Sequence, residues 1–141
     1  MTHGDFRPDN FAFNANGEVV PFDWQTARRG ANTRDLSYFI SFALPTALRR
    51  TGESELLALY HRTLVDSGVS DYTMDQLQKD FRRSIGSALI AAVIAGTLLD
   101  FSSERAVQLQ RALCERLSAV VSDHDFAEWL PVYLGIAAAE A

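Results

Sequence analysis

Apolar positions fall into two textures along this chain. Near the N-terminus they come as short runs, Phe11-Ala12-Phe13 and Val19-Val20-Pro21-Phe22, on either side of Asn14-Ala15-Asn16-Gly17-Glu18. An Asn-Gly pair can supply the positive φ that a turn requires, so the pattern predicts one small hairpin. Pro21 cannot donate to a ladder, which confines the second strand to an edge or a short piece. Beyond residue 35 the spacing becomes helical. Asn32 or Thr33 can cap a helix to about Leu44, where Pro45 stops it. Glu53 to Ser67, closed by Gly68, sets Leu56, Leu57, Leu59, Tyr60, Leu64 and Val65 on a broad apolar face. Thr73-Met74-Asp75-Gln76 has the capping-box pattern and opens a long helix toward Leu99. Ser102 or Ser103 starts the next, with Val107, Leu109, Ala112, Leu113, Leu117 and Val120 at helical spacing, and a last helix runs from about Asp125 to Ala139 across Pro131.

The expected fold is therefore mostly α with one short N-terminal β-hairpin, in a single domain. The 141 residues allow one domain and enough buried surface for a core. Ile85 to Leu99 is the longest apolar stretch, interrupted by Gly86, Ser87, Gly96 and Thr97. It falls short of the roughly 18 to 20 residues that span a bilayer and reads as a buried helix, so no membrane partner is expected. With 48% hydrophobic and 22% charged residues, the composition excludes disorder and collagen-like repeats. Eighteen acidic residues against thirteen basic ones, a net charge of -5 and one lysine, Lys79, argue against nucleic acid as a partner. Cys114 is the only cysteine, and Met1-Thr2-His3-Gly4-Asp5 lacks the basic-then-apolar order of a signal peptide, so a reducing, cytoplasmic setting is expected.

The chemistry lies in His3-Gly4-Asp5-Phe6-Arg7-Pro8-Asp9-Asn10, Phe22-Asp23-Trp24-Gln25 and Arg34-Asp35-Leu36. If the hairpin forms, Asn10 just before its first strand and Asp23 just after its second are drawn to the same end. Their oxygens suit a hard, hydrated cation such as Mg2+, which is commonly held by one or two protein oxygens plus phosphates. Asp5 can face the same point and accept a proton or orient a hydroxyl. Each residue also has an ordinary reading: Asp and Asn favour turns and caps, and Asp35 fits any helix first turn. The arginine pairs Arg28-Arg29, Arg49-Arg50 and Arg82-Arg83 read as solvated faces, and His61 and His124 as solvated or satisfied.

His3-Gly4-Asp5 with Asn10 five positions after the aspartate, followed by a hydrophobic-Asp-aromatic-Gln hairpin exit, resembles the catalytic and metal loops of the aminoglycoside phosphotransferase and choline kinase-like families, which share the protein-kinase fold. Gly4 stands where protein kinases carry arginine, and Trp24-Gln25 where they carry Phe-Gly, as small-molecule kinases of this group commonly do. The resemblance implies transfer of the γ-phosphoryl group of ATP to a hydroxyl of a small molecule. It implies Asp5 as the catalytic aspartate, Asn10 and Asp23 as ligands of the magnesium that bridges the nucleotide phosphates, and Arg7 as a stabiliser of the transferred charge. It implies His3 and Asp35 as structural supports of the loop. Tyr38, Asp66, Tyr72, Asp100 and Trp129 are candidates for the acceptor surface.

The resemblance covers residues 2 to 40 tightly and the helices behind them loosely, as the helical C-terminal lobe of such a kinase. It also implies a preceding sheet lobe with a glycine-rich loop and a lysine, whereas this chain begins two residues before His3 and Lys79 lies in a helical segment. The expected reading is a C-terminal lobe impaired in phosphotransfer on its own: a fragment, a half-enzyme completed by another polypeptide, or a lobe turned into a binding module. Apolar surface near Phe6, Phe11, Phe13 and Phe22 would then be uncovered, which makes a homodimer or the absent lobe the expected partner. Two other classes compete. One is a helical interaction module without chemistry. The other is a metal-dependent hydrolase using His3, Asp5, Asp9 and Asp23, which would want a second histidine or a paired carboxylate cage.

Overall fold

The computed structural model describes residues 1–98 and 102–136. The hairpin forms where the sequence places it. Strands β1 (Phe11–Phe13) and β2 (Val19–Pro21) pair antiparallel, Phe11 opposite Pro21 and Phe13 opposite Val19. Gly17 supplies the left-handed turn residue at φ 79°, and the Asn14 side chain accepts the amide hydrogens of Asn16 and Glu18 to close the loop. Pro21, in the last rung, needs no donor there.

Five helices follow: α1 (Thr33–Phe42), α2 (Thr46–Asp66), α3 (Met74–Leu98), α4 (Glu104–Asp123) and α5 (Phe126–Tyr133). The Thr73 capping box is realised, with the Thr73 hydroxyl accepting from the Gln76 amide at 3.2 Å and the Gln76 side chain accepting from the Thr73 amide at 3.1 Å. Ser103 caps α4 by accepting from the Ala106 amide at 3.2 Å. Asn32, in contrast, makes no side-chain cap for α1; its carbonyl accepts from the Tyr60 hydroxyl at 2.8 Å, and its carboxamide lies 3.4 Å from the Tyr72 hydroxyl. The last helix ends at Tyr133, before the expected Ala139, which lies outside the described residues together with Leu99 and Asp100.

Helix α2 begins seven residues before the expected Glu53, directly after Pro45, and runs through Gly52. Its extra first turns are held by Arg49, which is not a solvated residue: it is 2% exposed and paired with Glu53 at 2.7 Å and with Asp123. Arg50 adds two bonds to the same Asp123 carboxylate, at 2.8 and 3.0 Å. The predicted broad apolar face of α2 is narrower than the sequence suggests, because Leu57 is buried while Leu59 and Val65 are exposed.

The core lies between α1 and α3. Thr33, Ser37 and Ser41, one turn apart on α1, are fully buried, and Ser84 and Ala88 of α3 are buried as well, so small side chains on both helices suit a close approach of the pair. The Thr33 hydroxyl donates to the Asp80 carbonyl at 3.0 Å and lies 2.7 Å from the Ser84 hydroxyl, fixing the register of the pair. Ile40, Leu77, Phe81 and Ile85 fill the centre, closed by Val120 of α4 and Phe126 of α5. By length and composition α3 is the one helix among the described residues apolar enough to cross a membrane, although its first half is the spine of this core. Its second half departs from the buried helix expected for Ile85 to Leu99, since Ile90, Val93, Ile94 and Leu98 face outward.

Candidate functional site

The segment before the hairpin is pinned to both the hairpin exit and α1. Thr2 and Arg28 exchange backbone hydrogen bonds at 2.8 and 3.1 Å, so the chain enters the site as one antiparallel rung. The Thr26 hydroxyl donates to the His3 carbonyl at 2.8 Å. His3 is 1% exposed. Its Nε2 donates to the Phe22 carbonyl at 2.8 Å, its Nδ1 accepts from the Asp5 amide at 3.3 Å, and its ring lies 4.6 Å from that of Trp24. Both partners are backbone groups, so one tautomer satisfies the ring and fixes its plane.

Asp35, in the first turn of α1, accepts the amide hydrogens of His3 at 2.6 Å and Gly4 at 2.9 Å, one on each carboxylate oxygen. Gly4 makes that possible. It sits at φ 88°, and a Cβ there would stand 2.6 Å from the Thr26 carbonyl oxygen.

These anchors present Asp5. Its Oδ2 accepts from Asn10 Nδ2 at 2.9 Å and lies 3.4 Å from Arg7 Nε; its Oδ1 accepts from the Tyr38 hydroxyl at 3.0 Å. The Asp5 side chain remains 29% exposed and Arg7 more so, so the carboxylate is held without being sealed. Burial, then the Asp5 charge and hydrogen bond, push the Tyr38 phenol up to about 12, which keeps it a donor. Tyr38 was foreseen only as one of several acceptor-surface residues. Its contact with Asp5 depends on how α1 docks, and the only local clue is its place one turn after Asp35.

Asn10 ends the turn Pro8–Asn10 and is 5% exposed, more enclosed than the open cleft that three converging ligands would form. Both carboxamide hydrogens go to Asp5, one to its carbonyl at 2.8 Å and one to Oδ2, which leaves Oδ1 as the atom able to meet a cation. Asp23 is reached through the backbone. The Phe22 amide donates to the Asn10 carbonyl at 3.0 Å, and the next residue, Asp23, turns into the left-handed region at φ 62° and ψ 58°. Its carboxylate is exposed and takes a long 3.4 Å bond from Gln25. Asp5, Asn10, Arg7 and Tyr38 are thus in direct contact, while Asp23 stands beside them on the hairpin base.

One carboxamide oxygen and one carboxylate are the donor set that magnesium accepts when phosphate oxygens and water complete its shell. Among the described residues no three Asp, Glu, His or Cys side chains are grouped to hold a metal ion. An ion at Asn10 and Asp23 would therefore depend on a ligand's oxygens.

Next to Asp5, Arg7 and Tyr38 border a pocket of about 160 Å³ walled by Phe42, Ala92, Leu113 and Arg116. Arg116 is engaged, donating to the Phe42 carbonyl at 2.5 Å at the end of α1. Of the other acceptor candidates, Tyr72 donates to Asp80 at 2.9 Å, Trp129 packs on the core, Asp66 ends α2, and Asp100 is outside the described residues.

A family model described as the ecdysteroid kinase-like family matches residues 1–70, the stretch that carries His3, Asp5, Arg7, Asn10, Asp23, Asp35 and Tyr38. No curated protein and no solved structure gives a significant match. The first half of the chain is thus similar to a kinase-like family.

Proposed function

We propose that this site serves phosphoryl transfer from Mg-ATP to a hydroxyl of a small molecule. Asp5 orients the acceptor hydroxyl and receives its proton as the acceptor oxygen bonds to the γ-phosphorus. The bond from that phosphorus to the bridging oxygen breaks, and ADP leaves with the electron pair. Asn10 Oδ1 and Asp23 hold magnesium, whose chemistry when bound is to offset charge on the phosphate oxygens. Arg7 adds positive charge beside the transferred group, and His3 and Asp35 keep the loop in place. The observation that carries this reading is the 2.9 Å bond joining Asn10 to the Asp5 carboxylate, with Asp23 one residue beyond the hairpin rung that ends on Asn10.

ATP titration with and without magnesium tests it, followed by ³¹P NMR. Asp23→Asn is the informative variant, since asparagine tolerates the left-handed backbone and removes only the charge. Magnesium-dependent binding that weakens at least about tenfold in Asp23→Asn is expected, the order of one lost charged contact. Binding indifferent to EDTA or to Asp23→Asn overturns the proposal. The second reading, a helical interaction module, draws on the outward apolar residues of α3 and expects no nucleotide binding at all.

A further inference from the structure

Helix α1 meets the His3–Asn10 loop at three points on one face. Asp35 holds two backbone amides, Phe39 sets its ring 6.1 Å from Phe6 and 5.9 Å from Phe11, and Tyr38 between them bonds the Asp5 carboxylate. Positions three and four apart are neighbours on a helix surface, so one face delivers all three. The Asp35 contact fixes the backbone and the Phe39 contact the packing. Only Tyr38 reaches the group that would meet the acceptor.

Resting on the phosphotransfer reading, we propose that Tyr38 is a positioning residue: its hydroxyl sets the rotation of the Asp5 carboxylate, committing Oδ2 to Asn10 and Arg7 and leaving the second lone pair of Oδ1 for the acceptor hydroxyl. The terminal torsion of aspartate is broad, so a carboxylate pinned through one oxygen still swings. Asn10 and Arg7 both engage Oδ2, and the Tyr38 bond to Oδ1 is the restraint that stops the swing.

Tyr38 is itself well held. Its ring meets that of Phe42 edge-on, with centroids 4.7 Å apart at 63°, and Phe42 is buried. A rigid donor suits the role, because displacement of a reacting group by about 1 Å can cost about a hundredfold in rate. Tyr38 and Arg7, which engage opposite oxygens of Asp5, also stand in the wall of the 160 Å³ pocket, so a molecule seated there meets both side chains that hold the carboxylate. A tyrosine that merely filled space would be replaceable by phenylalanine without consequence for Asp5.

Crystal structures of the whole chain, as wild type and as Tyr38→Phe, decide the matter. The Asp5 carboxylate plane is expected to hold one orientation in the wild type and to rotate about the Cβ–Cγ bond, or to take several orientations, in Tyr38→Phe. A carboxylate plane unchanged in Tyr38→Phe overturns the proposal. Should that variant not fold, Asp5→Asn provides the reciprocal measurement. Ultraviolet difference titration should then find one tyrosine ionising below its wild-type midpoint, and an unmoved midpoint overturns the proposal as well. Magnesium-dependent ATP binding on the same samples separates the two readings. A rotated carboxylate without any ATP binding sinks phosphotransfer and keeps Tyr38 as the brace of Asp5, whereas ATP binding with an unmoved carboxylate sinks the positioning role alone.

Discussion

Two glycines show how much of the site depends on single backbone positions. Gly4 and Gly17 both sit at positive φ, 88° and 79°. A Cβ on Gly17 would meet nothing within 4 Å, whereas one on Gly4 would meet the Thr26 carbonyl at 2.6 Å. Gly17→Ala is therefore expected to cost about 1–2 kcal/mol, the penalty for an L-residue in the left-handed region. Gly4→Ala carries the same penalty plus a backbone collision, and should lower the urea midpoint further. Equal midpoints for the two variants would mean that the Thr26 contact is soft. Asp35→Ala tests the other half of the anchor, since it leaves the amides of buried His3 and half-buried Gly4 without their acceptor. A loss of about 1–3 kcal/mol is expected. Amide exchange at residues 3 and 4 should accelerate more than in the α3 core.

Between elements, a cluster of ion pairs joins the first turns of α2 to the end of α4. Arg49 and Arg50 grip Asp123, and Glu53 receives Arg49 while lying 2.8 Å from His124 Nε2. The Arg50 hydrogen bond holds the Asp123 carboxyl down to about 2, with burial opposing and Arg49 assisting. Burial pushes Glu53 up, but His124 and Arg49 outweigh it and leave it below its ordinary value. A carboxyl depressed in the folded state is protonated first in the unfolded chain. Stability from this clamp is thus complete above about pH 5 and is lost as the pH falls toward about 2. Asp123→Asn should flatten the fall of the urea midpoint across that window.

This clamp was invisible in the sequence, where Arg49 and Arg50 look like any exposed pair, and so was the early start of α2 that it supports. Local rules carried what is local: the Asn-Gly hairpin, the Thr73 capping box and Ser103 were all legible because their partners lie within four residues. Thr73→Ala is expected to cost about 1 kcal/mol, read as a lower melting temperature. Asp5 and Asn10 were legible as a motif, but the Tyr38 contact spans 33 residues and follows only from the docking of α1. Periodicity likewise marked all of α3 as apolar without saying which turns find a neighbour.

At the scale of the whole molecule the unresolved tension is exposed apolar surface. The hairpin patch is smaller than the sequence suggested, because Phe6 and Phe11 turn inward onto Phe39 while Phe13 and Phe22 remain outside. The larger stripe is on α3, where Ile90, Val93 and Ile94 are 63%, 67% and 52% exposed at positions i, i+3 and i+4. A contiguous stripe of this kind favours contact with a second apolar face. The net charge of -5 on each copy opposes that contact, and the opposition weakens once salt brings the Debye length to about 10 Å at 0.1 M. Self-association is therefore the expected behaviour, strengthening as salt rises, and multi-angle light scattering at micromolar concentration should give a mass above that of one chain. Val93→Lys should restore the single-chain mass without unfolding, since the side chain it replaces faces solvent. A single-chain mass for the wild type at every salt concentration would show that the stripe is tolerated in water. A mass that falls as salt rises would point to an ionic contact between copies, for which this stripe has no charged groups to offer.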